Sequence, residues 1–491
     1  MKQDDLKLDE LIRKHEGNWR HGYGAFPTIV HKMGLRRGVE VGVAFGGHSG
    51  AILETGGVDK LFGVDRYRHC GGYDDPMNLS QPLFDRLAKR VVDRLSCFGN
   101  RFELIREDSE EAGKRFDDHS LDFVYLDADH SEAGVWKDLC TWAIKVREGG
   151  IIAGHDYGHP DFAGVKRAVD RFFSRFGWTV NEEGHGVWWV QRQHLPITFF
   201  TPCYNCAQWI SDTAASIIKT NLKPGDEYIL VNDGSTDATA QMLEQISSLH
   251  PAIRVIHHET NRGGSAARNT AVAAAKNPLC FCLDSDNIIA PDSARPLRDH
   301  LFRTGTDTVG YQTLKYFTDA QGIGHITHEL SYEPVITDFA RSLRTTRVPG
   351  ASGNYLYTRE SWRRAGGYPE GAGALDAWGF GLRKAATGST TTVLPGSFYY
   401  HRHDHNSYWT RHARQGTINQ SALEVLRPFF HLIDPRDVKY LSTSKGQSRW
   451  FTELNRRPLR MLDPHTCEQS CRPVIRQGLM GLFRKIVSRA A

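Results

Sequence analysis

Leu279-Cys280-Phe281-Cys282-Leu283 places five apolar or thiol side chains in a row, and the run stops abruptly at Asp284-Ser285-Asp286. A run without polar alternation belongs to a strand covered on both faces, as at the centre of a parallel sheet. In open α/β sheets ligands sit beyond the carboxyl ends of such strands. Asp284 and Asp286 therefore emerge into a cleft. Two hard oxygen donors one residue apart suit a shared Mg²⁺ or Mn²⁺, which also accepts substrate phosphate oxygens. An isolated Asp-x-Asp is more often a solvated turn, so the rest of the chain decides what this one means.

The chain has 491 residues, more than one core accommodates, and about two to three domains are expected. Charged residues make up 24% and the net charge is +4, which gives no global field for nucleic acid. No apolar run reaches about 18 residues and no secretory signal opens the sequence, so a cytoplasmic protein is expected. Nine cysteines without framework spacing read as reduced thiols. Cys203 and Cys206 form a C-x-x-C, but no second pair completes a zinc site.

In the first half, Gly38 to Val43 is a short strand entering the glycine-rich turn Gly42-Val43-Ala44-Phe45-Gly46-Gly47, where backbone can approach a ligand closely. A second strand, Leu61 to Val64, ends in Asp65, about 20 residues on, where a ribose-binding acid belongs. Strands follow at Phe102–Ile105, Leu121–Leu126 and Gly150–Gly154, the last two ending in Asp127-Ala128-Asp129-His130 and His155-Asp156-Tyr157. Such alternation of strands and helices predicts a doubly wound sheet. Neighbouring strands would bring Asp127 and Asp156 to one edge, able to hold a divalent cation, with His130 as a candidate base. Each acid alone is equally compatible with a helix cap.

Gly38 to Val190 resembles the class I S-adenosylmethionine-dependent methyltransferases. Glu40, Gly42 and Gly46 match the cofactor motif, Asp65 the ribose acid and Asp108 the position near adenine. Phe123 to His130 with Gly149 to Tyr157 is similar to the metal-dependent O-methyltransferases, which implies a Mg²⁺ site at Asp127 and Asp156. His130 stands where some of these enzymes have lysine, and Tyr157 where several have an asparagine metal ligand. The stretch Tyr67 to Gln81 reads as a substrate loop or as plain surface.

In the second half, strands at Ile197–Thr201, Glu227–Val231 and Ile253–His257 precede Leu279. They end in Pro202-Cys203-Tyr204-Asn205, in Asn232-Asp233-Gly234-Ser235-Thr236-Asp237 and before Asn261-Arg262-Gly263 to Ala267-Arg268-Asn269. That series, closing on Asp284-x-Asp286, resembles the family 2 glycosyltransferases of the A fold. The resemblance implies that Pro202, Tyr204, Asn205, Asp233, Arg268 and Asp284 bind a nucleotide-sugar donor, with Arg268 near the diphosphate and Asp286 as direct ligand of Mn²⁺ or Mg²⁺. Arg268 reads equally as half of an ion pair. Trp362 to Tyr368 matches the segment before the family's catalytic acid. Leu375-Asp376 replaces its Glu-Asp, leaving Asp376 as the base for an inverting displacement. Of His401, His403 and His405, His403 best matches the family's third metal ligand.

The expected architecture is α/β, with two doubly wound domains, Rossmann-like and nucleotide-sugar-binding, and a mostly helical C-terminal tail. The expected boundaries are 1–35 (helical segment), 36–192, 197–410 and 411–491. Arg472 to Arg489 reads as an amphipathic basic helix, which suits packing on the core or peripheral contact with the inner membrane face. The sequence thus reads as an O-methyltransferase fused to a metal-dependent glycosyltransferase. The acceptor would be a glycan or lipid-linked glycan, and the shared target a bacterial surface glycan. The alternative is a glycosyltransferase whose first domain only binds or scaffolds.

Overall fold

A computed structural model describes residues 10, 25–55, 57–71, 78–350, 353–403 and 408–462. The basic stretch Arg472 to Arg489, His405 and most of the segment 1–35 lie outside the described residues. The chain divides into two compact units, Met1–Pro196 with Arg298–Gly305, and Ile197–Leu297 with the remainder from Thr306. Among the described residues, no helix is long and apolar enough to cross a membrane.

The first unit holds seven strands: β1 (Arg37–Val41), β2 (Lys60–Val64), β3 (Phe102–Ile105), β4 (Leu121–Leu126), β5 (Val146–Gly154), β6 (Asn181–Glu183) and β7 (Val187–Gln191). Their order is β3-β2-β1-β4-β5-β7-β6. The first five run parallel, and β7 pairs antiparallel with both β5 and β6. Strand order reverses between β1 and β4, so the loops after these strands diverge and leave a crevice there. Helices cover both faces. Leu83, Leu87, Val91 and Leu95 of the helix Gln81–Leu95 recur every four residues and bury one stripe against Val43 and Tyr67. On the other face Phe26 and Val30 pack with Leu61, Phe123, Tyr125 and Ile151.

The second unit holds β8 (Ile197–Cys203), β9 (Glu227–Asp233), β10 (Ile253–His258), β11 (Leu279–Cys282), β12 (Ile288–Ile289), β13 (Thr308–Phe317), β14 (His328–Ser331), β15 (Tyr355–Thr358) and β16 (Thr391–Arg402). They follow the order β10-β9-β8-β11-β15-β13-β16-β12, with β14 on β13. The first four are parallel, as the sequence predicts. From β15 onward the sheet is mixed, with β15 antiparallel to both β11 and β13 while β16 runs parallel to β13. All four residues of β11 are buried, as its unbroken apolar run requires. The helices Ile418–Leu426 and Pro435–Leu441, with Trp450 just past the helix Ser444–Arg449, share one core with Leu375 and Leu382. The tail therefore braces the helix Asp376–Ala386, whose first residue is the expected base.

Candidate active sites

In the first unit the loop after β1 turns on two glycines with positive φ, Gly42 at 90° and Gly46 at 73°. A Cβ on Gly42 would lie 1.9 Å from the Asp127 carbonyl oxygen. Only glycine lets β1 pass so close to the end of β4. The Asp65 carboxylate, delivered by β2, accepts from the Val43 and Ala44 N–H groups at 3.1 and 3.0 Å and from Tyr67 N–H at 2.9 Å. Burial raises its pKa, against those three donors. Tyr67 in turn donates its hydroxyl to the Ala44 carbonyl at 2.6 Å. The loop is held from both sides.

These groups border a cavity of ≈ 860 Å³, lined among others by Gly42, Ala44, Asp65, Asp108, Ser109 and Asp127. Its size falls in the range of small-molecule sites. Asp108 faces it, paired with Arg68 at 2.6 Å. Glu40 also borders the cavity, and at 1% exposure its carboxylate accepts from Ser49 Oγ and lies 2.8 Å from His48 Nδ1. It anchors the first turn of the helix Gly47–Glu54. Beyond the expected residues, Asp138 also lines the cavity; burial pushes its carboxyl up to about 6 while Ser109 Oγ donates to it at 2.5 Å.

At the ends of β4 and β5, Asp127, His130 and Asp156 converge, their nearest ligand atoms all within 4.8 Å of one another. His130 Nε2 lies 3.3 Å from Asp127 Oδ1 and 3.0 Å from Asp156 Oδ2. Hydrogen bonds from Asp127 and then Asp156 raise the imidazole to about 10, and Asp156 is held below the usual carboxylate range by His130 and His155 against its own burial. The imidazole thus bridges the two carboxylates. Two carboxylates and one imidazole around one point fit a divalent cation. Tyr157 does not join them, because its hydroxyl donates to Asp170 at 2.5 Å and accepts from Lys166 at 2.7 Å.

In the second unit Arg268, on the helix Gly264–Ala274, spans two acids. Its Nη2 donates to Asp284 Oδ1 at 2.8 Å and its Nη1 to Asp376 Oδ2 at 2.5 Å. The expected pairing is thus present, with the buried Asp376 and the half-buried Asp284 in place of a surface acid, and the expected donor ligand and the expected base share one guanidinium. Burial raises the Asp284 pKa and Arg268 opposes that rise. Asn354, 2% exposed, accepts from Asp284 N–H at 2.9 Å through Oδ1. A Cβ on neighbouring Gly353 would lie 2.3 Å from Asp284 Oδ2. Asp286 is half-buried, and its carbonyl accepts from Arg402 Nε at 3.0 Å. Arg402 also pairs with Asp212 at 3.1 Å and with Asp319, pinning the turn from β16.

Asp233 repeats the device of Asp65. Its carboxylate accepts from Arg262 and Gly263 N–H at 2.9 and 2.8 Å and lies 2.7 Å from His258 Nδ1. Asn205, at φ 49°, ties Pro202-Cys203-Tyr204 to the neighbouring turn by accepting from Thr236 N–H at 2.8 Å. Tyr204 is 43% exposed. His403 does not join Asp284 and Asp286 in a three-ligand cluster among the described residues; its Nε2 lies 2.7 Å from Thr327 Oγ1. Cys203 and Cys206 are free buried thiols. Asn354, Arg402 and His258 were missed as site residues from sequence, since nothing local marks an amide, guanidinium or imidazole that acts across the sheet.

Comparison with known proteins matches residues 198–364 to the glycosyl transferase family 2 model and residues 39–157 to a methyltransferase domain model. The chain is 28% identical over 174 residues to an uncharacterized glycosyltransferase, EpsJ, of Bacillus subtilis, covering 34% of this chain and 49% of the relative. It is 33% identical over 97 residues to the poly-beta-1,6-N-acetyl-D-glucosamine synthase of Staphylococcus epidermidis, covering 20% of this chain and 23% of that protein. The chain thus spans about half or less of these relatives. Among solved structures, S. aureus TarS 1-349 in complex with UDP-GlcNAc is similar at a TM-score of 0.40 and 17% identity, covering 52% of this chain and 73% of that one.

Proposed function

We propose that this chain, which carries a methyltransferase domain followed by a family 2 glycosyltransferase domain, is a bifunctional enzyme. Its second unit would transfer a sugar from a nucleoside diphosphate with inversion, and its first would methylate a hydroxyl from S-adenosylmethionine. The observation that carries the reading is the Arg268 bridge between Asp284 and Asp376. The bridge holds the two acids side by side beyond the buried strand β11, which supports one as donor ligand and the other as proton acceptor.

In the second unit Asp233, Asn205 and Tyr204 would hold the nucleoside, and Asp284 and Asp286 the ribose and a divalent cation. When bound, that cation neutralises charge on the departing diphosphate. Asp376 would take the proton of the acceptor hydroxyl as its oxygen attacks the anomeric carbon and the bond to the diphosphate breaks. Arg268 fixes the direction of that carboxylate. In the first unit Asp65 and Asp108 would bind ribose and adenine across the ≈ 860 Å³ cavity. The acceptor oxygen would attack the sulfonium methyl in line, and the C–S electron pair would stay on sulfur, with positioning supplying much of the acceleration. A cation at Asp127 and Asp156 would acidify that hydroxyl, and its proton would leave to bulk water.

The similarity to a polysaccharide synthase supports a surface glycan as the common product, made on the cytoplasmic side. Calorimetry of the full chain with UDP- and GDP-sugars plus Mn²⁺, and separately with S-adenosylmethionine, tests this. Nucleotide binding lost in Asp286→Ala and cofactor binding lost in Asp65→Ala are expected. If a nucleotide binds but the cofactor does not, the first unit is a non-catalytic module.

A further inference from the structure

We infer that His130 is itself a ligand in the first unit's cation site, and that this site takes a transition cation such as Mn²⁺ in preference to Mg²⁺. The inference rests on the methyltransferase reading of that unit and goes beyond it to the identity of the metal. Three observations carry it.

The first is spacing. Adjacent ligands about 2.1 Å from an octahedral ion lie about 3 Å apart. His130 Nε2 stands 3.0 Å from Asp156 Oδ2 and 3.3 Å from Asp127 Oδ1, the separations of neighbouring corners of one coordination shell. The second is orientation. The His130 ring stacks on Phe162, with centroids 4.4 Å apart and planes at 30°, which fixes the edge that carries Nε2. On the far side of Asp156, His155 Nδ1 lies 3.2 Å from Oδ1, leaving Oδ2 for the shared point. The third is the lost oxygen. Tyr157 follows Asp156 directly, yet its hydroxyl is committed to Asp170 and Lys166. An all-oxygen set is thereby replaced by two carboxylates and an imidazole.

That change selects among metals. Mg²⁺ is hard, dehydrates reluctantly and favours oxygen, whereas imidazole suits the divalent transition ions. The nearest competitor is an imidazolium paired with two carboxylates and no affinity for a cation.

Electron spin echo of Mn²⁺ bound to the full chain separates the two, since a coordinated imidazole nitrogen modulates the echo. The parent is Asp286→Asn, which removes the expected ligand of the second unit. Nitrogen modulation is expected in the parent, with its frequency altered by ¹⁵N-histidine labelling. In His130→Gln on that parent the modulation disappears and Mn²⁺ affinity falls at least about tenfold, while Mg²⁺ affinity, read by competition, falls less than about threefold. Tyr157→Phe keeps both signals. Bound Mn²⁺ without nitrogen modulation, or no bound Mn²⁺, overturns the inference. Where His130→Gln fails to fold, His130→Asn on the same parent replaces it, because labelling alone does not separate His130 from His155. Calorimetry with S-adenosylmethionine on the same sample keeps the two readings apart. Cofactor binding without a nitrogen-ligated cation sinks this inference alone, and nitrogen-ligated Mn²⁺ without cofactor binding sinks only the methyltransferase reading.

Discussion

Lys384 lies two turns beyond Asp376 on the same helix and is 1% exposed. Its Nζ donates to Thr308 Oγ1 at 2.6 Å and otherwise faces the rings of Tyr357 and Phe380. Burial pushes its pKa down from 10.5 to about 7, with Asp307 opposing and Arg364 adding to the fall. The folded value of this base lies below the unfolded one, so between about pH 7 and 10.5 the unfolded chain binds more protons. Stability then rises with pH across that window and carries the full penalty below it. A shift of 10.5 − 7, or about 3.5 units, at about 1.36 kcal/mol each gives a ceiling near about 4 kcal/mol at pH 7 and about 1 kcal/mol at pH 10. Lys384→Met keeps the stem and removes the ammonium, losing about 1 kcal/mol with the Thr308 hydrogen bond. We expect the second unit to gain about 2–3 kcal/mol at pH 7 and nothing at pH 10, from urea midpoints of the full chain at each pH. A variant less stable at pH 7, or a gain that persists unchanged at pH 10, refutes the argument.

Arg268→Met should cost about 3 kcal/mol in urea unfolding, because it strands the buried carboxylate of Asp376 and the half-buried one of Asp284, and Arg268→Lys should recover little of it, since an ammonium lacks the fork that reaches both acids. Gly353→Ala places a methyl against Asp284 and should weaken nucleotide binding at least about tenfold by calorimetry while the chain stays folded. Asp65→Asn replaces an acceptor of three backbone donors with a neutral amide and should cost about 1.5–3 kcal/mol of S-adenosylmethionine affinity.

What the sequence could announce were the strand ends. β4, β5, β9 and β11 each end an apolar run at an acid, and period and polarity are local properties. The helical stripe of Gln81–Leu95 is legible for the same reason. Partners were not. Arg402 fastens Asp286, Asn354 positions Asp284, and His258 meets Asp233 only because the mixed half of the sheet and the β10 edge bring them together. The role of His130 also depended on direction: a stacked phenylalanine turns its nitrogen toward two acids, and spacing along the chain carries no trace of that. Arg268 was visible as a cation near the site, but its two-sided pairing needed Asp376, 108 positions later.

The clasp of Arg402 on the Asp286 carbonyl joins positions 116 residues apart. It also sets a clock. During synthesis at about 5–20 residues per second, the Asp284-x-Asp286 turn would wait on the order of 6–25 s for its fastening strand to appear. Until then the parallel half of the second sheet, β8 to β11, has its acids but not the side chain that fixes their turn. A nascent chain at that stage offers a chaperone an incomplete sheet edge, and the turn reaches its fastened form only once translation has passed Arg402.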